Sequence, residues 1–216
     1  RQAARQEISA LLAPTQYAGA SIIGASNTTL EGIDTIRSEI HSFARDTSLH
    51  AKLESPDLFD QNFRLPIDRV FSIRGAGTIV TGTVAAGSVS LGDQLVEPLI
   101  AQKLRVRSIH TQDLAAERAT RGQRCALNIV PVDGGLLPIA RGNWLTSQTT
   151  TKVGSRVDLE VTIFASETKP LQHWTKLHIF HATSHHLGHL ATLGTTSISP
   201  GATGFGQLSL TTPSHF

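Results

Sequence analysis

Six histidines lie between residues 173 and 189: His173, His178, His181, His185, His186 and His189. Imidazole is a common transition-metal ligand, and His185 and His189 are four apart, a spacing that shares one face of a helix. No HExxH pattern surrounds them, Leu187 and Gly188 intervene, and acids are few nearby. The cluster therefore reads as a metal site, as in a histidine-rich hydrolase, or as a polar surface. A second set is basic. Lys103, Arg105 and Arg107 alternate with Leu104, Val106 and Ser108, which on a strand gives one cationic side and one inward side. Such a side is a solvated face or a stripe that meets phosphates. A third set is Asp68-Arg69 together with Arg124. One carboxylate and two guanidiniums can pair on a surface or across strands. The phosphate-cradling pattern GxxxxGK[ST] is absent. This stretch alone therefore carries no loop that would bind or cleave a nucleoside triphosphate.

The elements that must position these groups are mostly strands. Residues 63–93 read as two strands around a glycine turn. Leu65, Ile67, Phe71 and Ile73 alternate with more polar positions, the period of a half-buried strand. Strict alternation puts Arg69 on the side of Ile67 and Phe71, and a local bulge would relieve that conflict. Residues 78–84 (TIVTGTV) resume with β-branched side chains. Short runs at 94–99, 103–112, 123–130 and 143–147, with glycine-rich turns between them, predict a closed or nearly closed antiparallel barrel. Residues 153–216 predict a second β unit with four candidate strands. Cys125 alternates inward with Leu127 and Ile129 and reads as a small buried hydrophobe.

The first 45 residues differ. Residues 1–13 and 30–44 predict helices, the second with Leu30, Ile33, Ile36, Ile40 and Phe43 on one face. Ser21-Ile22-Ile23 between them predicts a short buried strand. Residues 46–62 read as a linker. The predicted fold class is mainly β: two successive antiparallel barrels, at 63–150 and 151–216, preceded by an α/β remnant at 1–45. Bulk numbers are ordinary: 39% hydrophobic, 17% charged, formal charge +2 with a pI near 9.0. So mild an excess does not by itself argue nucleic-acid binding. One cysteine fits a reducing, cytoplasmic compartment. The chain starts at Arg1 and has no methionine, so it is expected to be a fragment of a longer protein.

The run RGAGTIVTGTVAAGSVSLGD resembles the opening hairpin of the second domain of translational GTPases such as elongation factor Tu. Further residues are most similar to the selenocysteine-specific elongation factors. PIDRVF carries an Asp-Arg pair where elongation factor Tu has two acids. GQRCALN carries Arg124 where that factor has an asparagine. The resemblance implies that Asp68, Arg69 and Arg124 line a pocket for the amino acid esterified to a tRNA, with His110 beside it. It implies tRNA contact through Arg105, Arg107, His178, His181, His185 and His186. Gly24-Ala25-Ser26 falls where the last guanine-contacting loop of a GTP-binding domain sits. The whole protein would then use GTP and Mg2+ to bring selenocysteyl-tRNA to the ribosome, and would read an mRNA hairpin through a further C-terminal region. No catalytic residue falls in this stretch.

The chemistry is coherent. A selenol ionises below neutral pH and a serine hydroxyl does not. Two guanidiniums against one carboxylate favour a selenolate. At an effective dielectric near 20, opposite charges in contact are worth about 4 kcal/mol, and a third of that is about tenfold in affinity. A general elongation or initiation factor would share the hairpin without needing two arginines.

Overall fold

The computed structural model describes residues 2–45, 62–73, 75, 77–147 and 152–215. The predicted linker at 46–62 therefore lies almost wholly outside the described residues. The chain divides into two compact units, 1–52 and 53–216.

The first unit holds α1 (Gln2–Leu12) and α2 (Ile33–Ala44). Neither helix buries a residue. Leu11, Ile40 and Phe43 are each more than 60% exposed, so the predicted apolar faces are present and uncovered. Two expectations change here. Ser21-Ile22-Ile23 forms no strand and pairs with none among the described residues. A strand exists only with a hydrogen-bonding neighbour, and Ile22 instead takes Arg5 Nη2 on its carbonyl at 2.7 Å. The second helix starts at Ile33 rather than Leu30, because Leu30 and Gly32 adopt left-handed backbone angles.

In the second unit, the first β body is a closed ring. Its strands are β1 (Arg64–Ile73), β2 (Gly77–Thr83), β4 (Gln94–Glu97), β5 (Gln102–Thr111), β8 (Arg124–Pro131) and β9 (Trp144–Thr146). The order β4-β9-β1-β2-β8-β5 is closed by β5 pairing back to β4, and every pairing is antiparallel. Closure removes the sheet edges. Short strands decorate the ring: β6 (Leu114–Ala116) on β5, and β3 (Ser88–Ser90) paired with β7 (Arg118–Thr120). Inside pack Leu65, Ile67, Val80, Leu104, Ile109, Leu127 and Leu145, all at 0–1% exposure. Burial on this scale, at about 25 cal/mol per Å² of apolar area, is the main stabilising term.

Two bulges set the alternation. The β1–β2 register slips between Ile67 and Arg69, so Asp68 is an extra residue. Inward positions on β1 are then Leu65 and Ile67, followed by Val70, which packs against the core. Phe71 and Ile73, expected inside, are 42% and 48% exposed. A one-residue insertion reverses every later position. The β5–β8 register slips in the same way between Val106 and Ser108. Ile109 rather than Ser108 takes the next inward place after Leu104 and Val106.

The second β body is a four-stranded antiparallel sheet. Its order is β10-β15-β13-β12, from β10 (Val153–Thr162), β12 (Thr175–His181), β13 (Ser184–Leu193) and β15 (Thr203–His215). A ribbon of β11 (Leu171–Gln172) and β14 (Ser197–Ile198) lies beside it in the chain. Leu190, Leu208 and Leu210 form its core with Val157, Leu159 and Ile179.

Gly82 pairs with Ile67 at the start of the β1 bulge. A Cβ there would run into the carbonyl oxygen of Pro66 and the side chain of Leu65. Gly82→Ala is expected to destabilise the chain by about 1–3 kcal/mol in a urea melt, the usual cost of overpacking. It should also shift the amide signals of residues 67–69 in an NMR spectrum.

Candidate functional site

Because Asp68 is bulged, it and Arg69 both lie between inward Ile67 and inward Val70. Asp68 is half-buried and Arg69 is exposed. The bulge thus puts a carboxylate and a guanidinium side by side on the outer surface of the barrel. Strict alternation would turn Arg69 inward, and the bulge expected to relieve that conflict is present. The structure puts Asp68 and Arg69 outside, since Val80, Leu127 and Ile109 hold the inward positions of the neighbouring strands.

Arg124 opens β8 opposite Thr83. Its side chain reaches back across β2 to Asp68: Nη1 donates to Oδ2, and Nη2 donates to Oδ1 at 3.2 Å. The Thr81 hydroxyl donates to Asp68 Oδ1 at 2.6 Å and accepts from Arg124 Nη2 at 3.4 Å. Thr81 is therefore the third member of the cluster. Its position, a threonine inside a run of β-branched strand residues, gave no chemical signal in the sequence. The register also aligns Arg69 with Thr81, Thr81 with Ala126, and Ala126 with His110. His110 thus shares the outer face, two strand spacings or roughly 10 Å from Thr81.

The electrostatics follow. The hydrogen bond from Arg124 holds the Asp68 carboxyl below its usual 3.8. Partial burial opposes this, while Thr81 and the charges of Arg124 and Arg69 add to it. The same hydrogen bond raises the Arg124 guanidinium further. Arg124 keeps 54% of its side chain exposed, so the pair adds little to stability. It matters for geometry and charge. Asp68 offsets one guanidinium, and Arg69 makes no ion pair among the described residues. Cys125, next in the chain, points inward, and burial pushes its thiol up to about 11, so it is an unreactive core residue.

The remaining candidates fall in three other places. Arg105 pairs with Val130, six residues along β8 from Arg124 and so about 20 Å away. It lines a shallow groove with Arg107, Leu91 and Val130. The histidine group is divided by strand alternation. His178 and His185 face outward from the β12–β13 hairpin and are joined Nδ1 to Nε2 at 2.8 Å. His189 stacks on Trp174 at 5.2 Å. His181 and His186, grouped with His178 and His185 from sequence, turn to the opposite face. His181 packs on Trp144 of the barrel at 5.6 Å, and His186 accepts or donates at Ser214 Oγ, 3.0 Å away. Among the described residues no three His, Cys, Asp or Glu side chains come together as a metal site. His185 and His189 lie on a strand, four residues or about 13 Å apart, and not on a helix. In the first unit, Ser26 of the Gly24-Ala25-Ser26 turn already gives its N–H to Glu31 O at 3.0 Å. No helix of the described residues is long and apolar enough to cross a membrane.

A closed barrel followed by a second antiparallel sheet is a fold shared with solved selenocysteine-specific elongation factors. The same fold is seen in the elongation factor SelB of Methanococcus maripaludis in its apo form, with a TM-score of 0.82 at 24% identity. That match covers all of this chain and 48% of the other. The family model for the β-barrel domain of selenocysteine-specific elongation factors matches residues 158–216. The selenocysteine-specific elongation factor of Escherichia coli is 35% identical over 87% of this chain and 28% of its own length. That of Desulfomicrobium baculatum is 31% identical over 96% of this chain and 31% of its own. The chain belongs to the selenocysteine-specific elongation factor family, and spans about three tenths of the length of these relatives.

The Asp68 carboxyl is expected to titrate below 3.8 by carbon-detected NMR. Arg124→Ala should return its midpoint toward 3.8, and Thr81→Val should do so by a smaller step. Because the folded value is depressed, the stability this pair contributes is present above pH 3.8 and is lost as the pH falls through the folded value.

Proposed function

We propose that the outer face of the barrel receives the aminoacyl end of a selenocysteyl-tRNA, and that Asp68, Thr81, Arg124 and Arg69 select the amino acid. The observation that carries this reading is the bulge, which sets Arg69 beside an Asp68–Arg124 pair already fixed by Thr81. Asp68 offsets one of two guanidiniums, so the cluster keeps one net positive charge. An ionised selenol gains from that charge, while a neutral hydroxyl of the same shape gains little. His110, on the same face, adds positive charge only when protonated.

The rest of the assignment supports the same role. We read residues 63–150 as the second domain, 151–216 as the third, and 1–45 as the end of a GTP-binding domain. Arg105, Arg107, His178 and His185 point outward from the β bodies and suit phosphate contact with the tRNA. His181 and His186 face the barrel, which leaves them a structural role. In the whole protein, GTP with Mg2+ would drive delivery to the ribosome. The catalytic step, the guanine-binding groups and the mRNA contact would be supplied by other regions. A cytoplasmic setting accords with this work.

A second reading, a general aminoacyl-tRNA carrier, shares the fold and lacks the amino-acid preference. The two separate in one experiment on the full-length protein. One tRNA is charged with selenocysteine or serine, and binding is compared for the unaltered protein and Arg124→Ala. We expect the substitution to weaken selenocysteyl-tRNA binding by about tenfold and seryl-tRNA binding much less. Equal losses, or equal starting affinities, would favour the general carrier.

A further inference from the structure

The second sheet meets the barrel through a joint rich in imidazole. The barrel supplies Glu97, Asn143 and Trp144, and the sheet supplies His181, His186 and His215. Glu97 is fully buried and His215 is 2% exposed. The Glu97 carboxylate takes three donors: His215 Nε2 at 3.1 Å and Asn143 Nδ2 at 3.2 Å on Oε1, and the Ile100 N–H at 2.9 Å on Oε2. With Nε2 donating, a neutral His215 keeps a bare lone pair on Nδ1. That atom is buried without a partner, and so is His181 Nδ1. The Trp144 ring packs against both, 5.6 Å from His181 and 6.2 Å from His215.

The joint is also tightly seated. The turn of the β12–β13 hairpin docks on the barrel loop at 141–143, where Arg141 Nε donates to Thr183 O at 3.3 Å. Gly142 makes this approach possible. It sits at φ +94°, and a Cβ there would lie 3.1 Å from Ser184 Cβ. His186 is half-buried between Ser214 Oγ and Thr212 Oγ1.

The charge balance of the joint is one-sided. The titratable and charged groups that meet there are Glu97 and Arg141 from the barrel and His181, His186 and His215 from the sheet, with His185 next to His186 on the outer face. Glu97 is the one acid among these groups, and three donors already occupy it. A second proton on His181 would put a positive charge on a ring whose buried Nδ1 has no partner, whereas His215 lies against the Glu97 carboxylate. Buried, uncompensated polar groups cost free energy, and like charges add to that cost.

We infer that this joint is a proton-operated latch, shut between barrel and sheet while His181 and His186 are neutral and released as they gain protons. The inference does not depend on what the outer face of the barrel binds. His186 supplies the sign. Burial first, and then the charges of His181, His185 and His215, hold its imidazole below the usual 6.5. A depressed value in the shut state means that the open state binds protons more readily. The stabilisation is therefore present above pH 6.5 and lost as the pH falls below it.

The chain has two tryptophans, so Trp174→Phe leaves Trp144 as the sole indole reporter. Its emission and the far-ultraviolet circular dichroism are followed together from about pH 8 to pH 5, the range in which histidine titrates. The expected result is a red shift of Trp144 emission, as the ring becomes wet, with the strand signal unchanged. Adding His186→Asn should move the midpoint down by about half a pH unit, since one group that resists protonation is gone. Buried-type emission persisting at pH 5 would overturn the latch. Emission and strand signal lost together would also overturn it, because that is unfolding of the whole unit and not release of a joint. The titration of the chain with native His186 decides between these outcomes even if the His186→Asn protein does not fold.

Discussion

The candidate site depends on one extra residue in β1. Without the insertion at Asp68, strict alternation would send Arg69 toward the core, beside Ile67 and Phe71. A guanidinium cannot enter that apolar interior unpaired, because its desolvation would cost several kcal/mol. The bulge resolves the conflict by turning Asp68 and Arg69 to the same side and returning Val70 to the interior. Gly82, on the facing strand, leaves the space that the displaced backbone needs. Core packing and site geometry are therefore one constraint: the positions that fill the barrel also decide which charges reach its surface.

The resulting cluster is ordered by contacts that are individually weak. Asp68 and Arg124 are 56 residues apart in sequence and form a partly exposed pair. Such pairs contribute little to folding. Their role is orientation. Thr81 holds one carboxylate oxygen, Arg124 spans both, and Arg69 stands alongside. The pair is pre-arranged at little cost, so a ligand that meets it need not pay to order the side chains. Carrying such a site on strands of a closed barrel rather than on loops keeps its spacing fixed.

The joint between the β bodies has a different character. Its centre is a buried carboxylate satisfied by a histidine, an asparagine and a backbone N–H, with a tryptophan packed near two imidazoles. Buried polar groups of this kind add directionality more than net stability. They fix one arrangement of barrel and sheet, because any slip leaves a charged oxygen without donors. The six-histidine stretch that suggests a metal in the sequence is divided between this joint and the opposite, solvent-facing side of the sheet. A histidine count carries no information about which face each ring occupies.

Much of the fold was legible in the chain. The glycine turn and β-branched runs of 63–93, the repeated short strands, and the helix-forming residues of the first unit all reflect local preferences and periodicity. These depend on neighbours in sequence. The same was true of Cys125 as a core residue and of Asp68, Arg69 and Arg124 as the charged candidates. What needed the tertiary structure was phase and partnership. The bulges at Asp68 and Arg107 shift the alternation through backbone pairing with another strand. Thr81 joins the cluster because β2 lies between β1 and β8. His181, His215 and Glu97 meet because the barrel and sheet are packed together. Residue types and local periods are properties of the chain in order. Which side chains touch across 50 or 100 residues is set by strand register and packing, and those are properties of the folded whole.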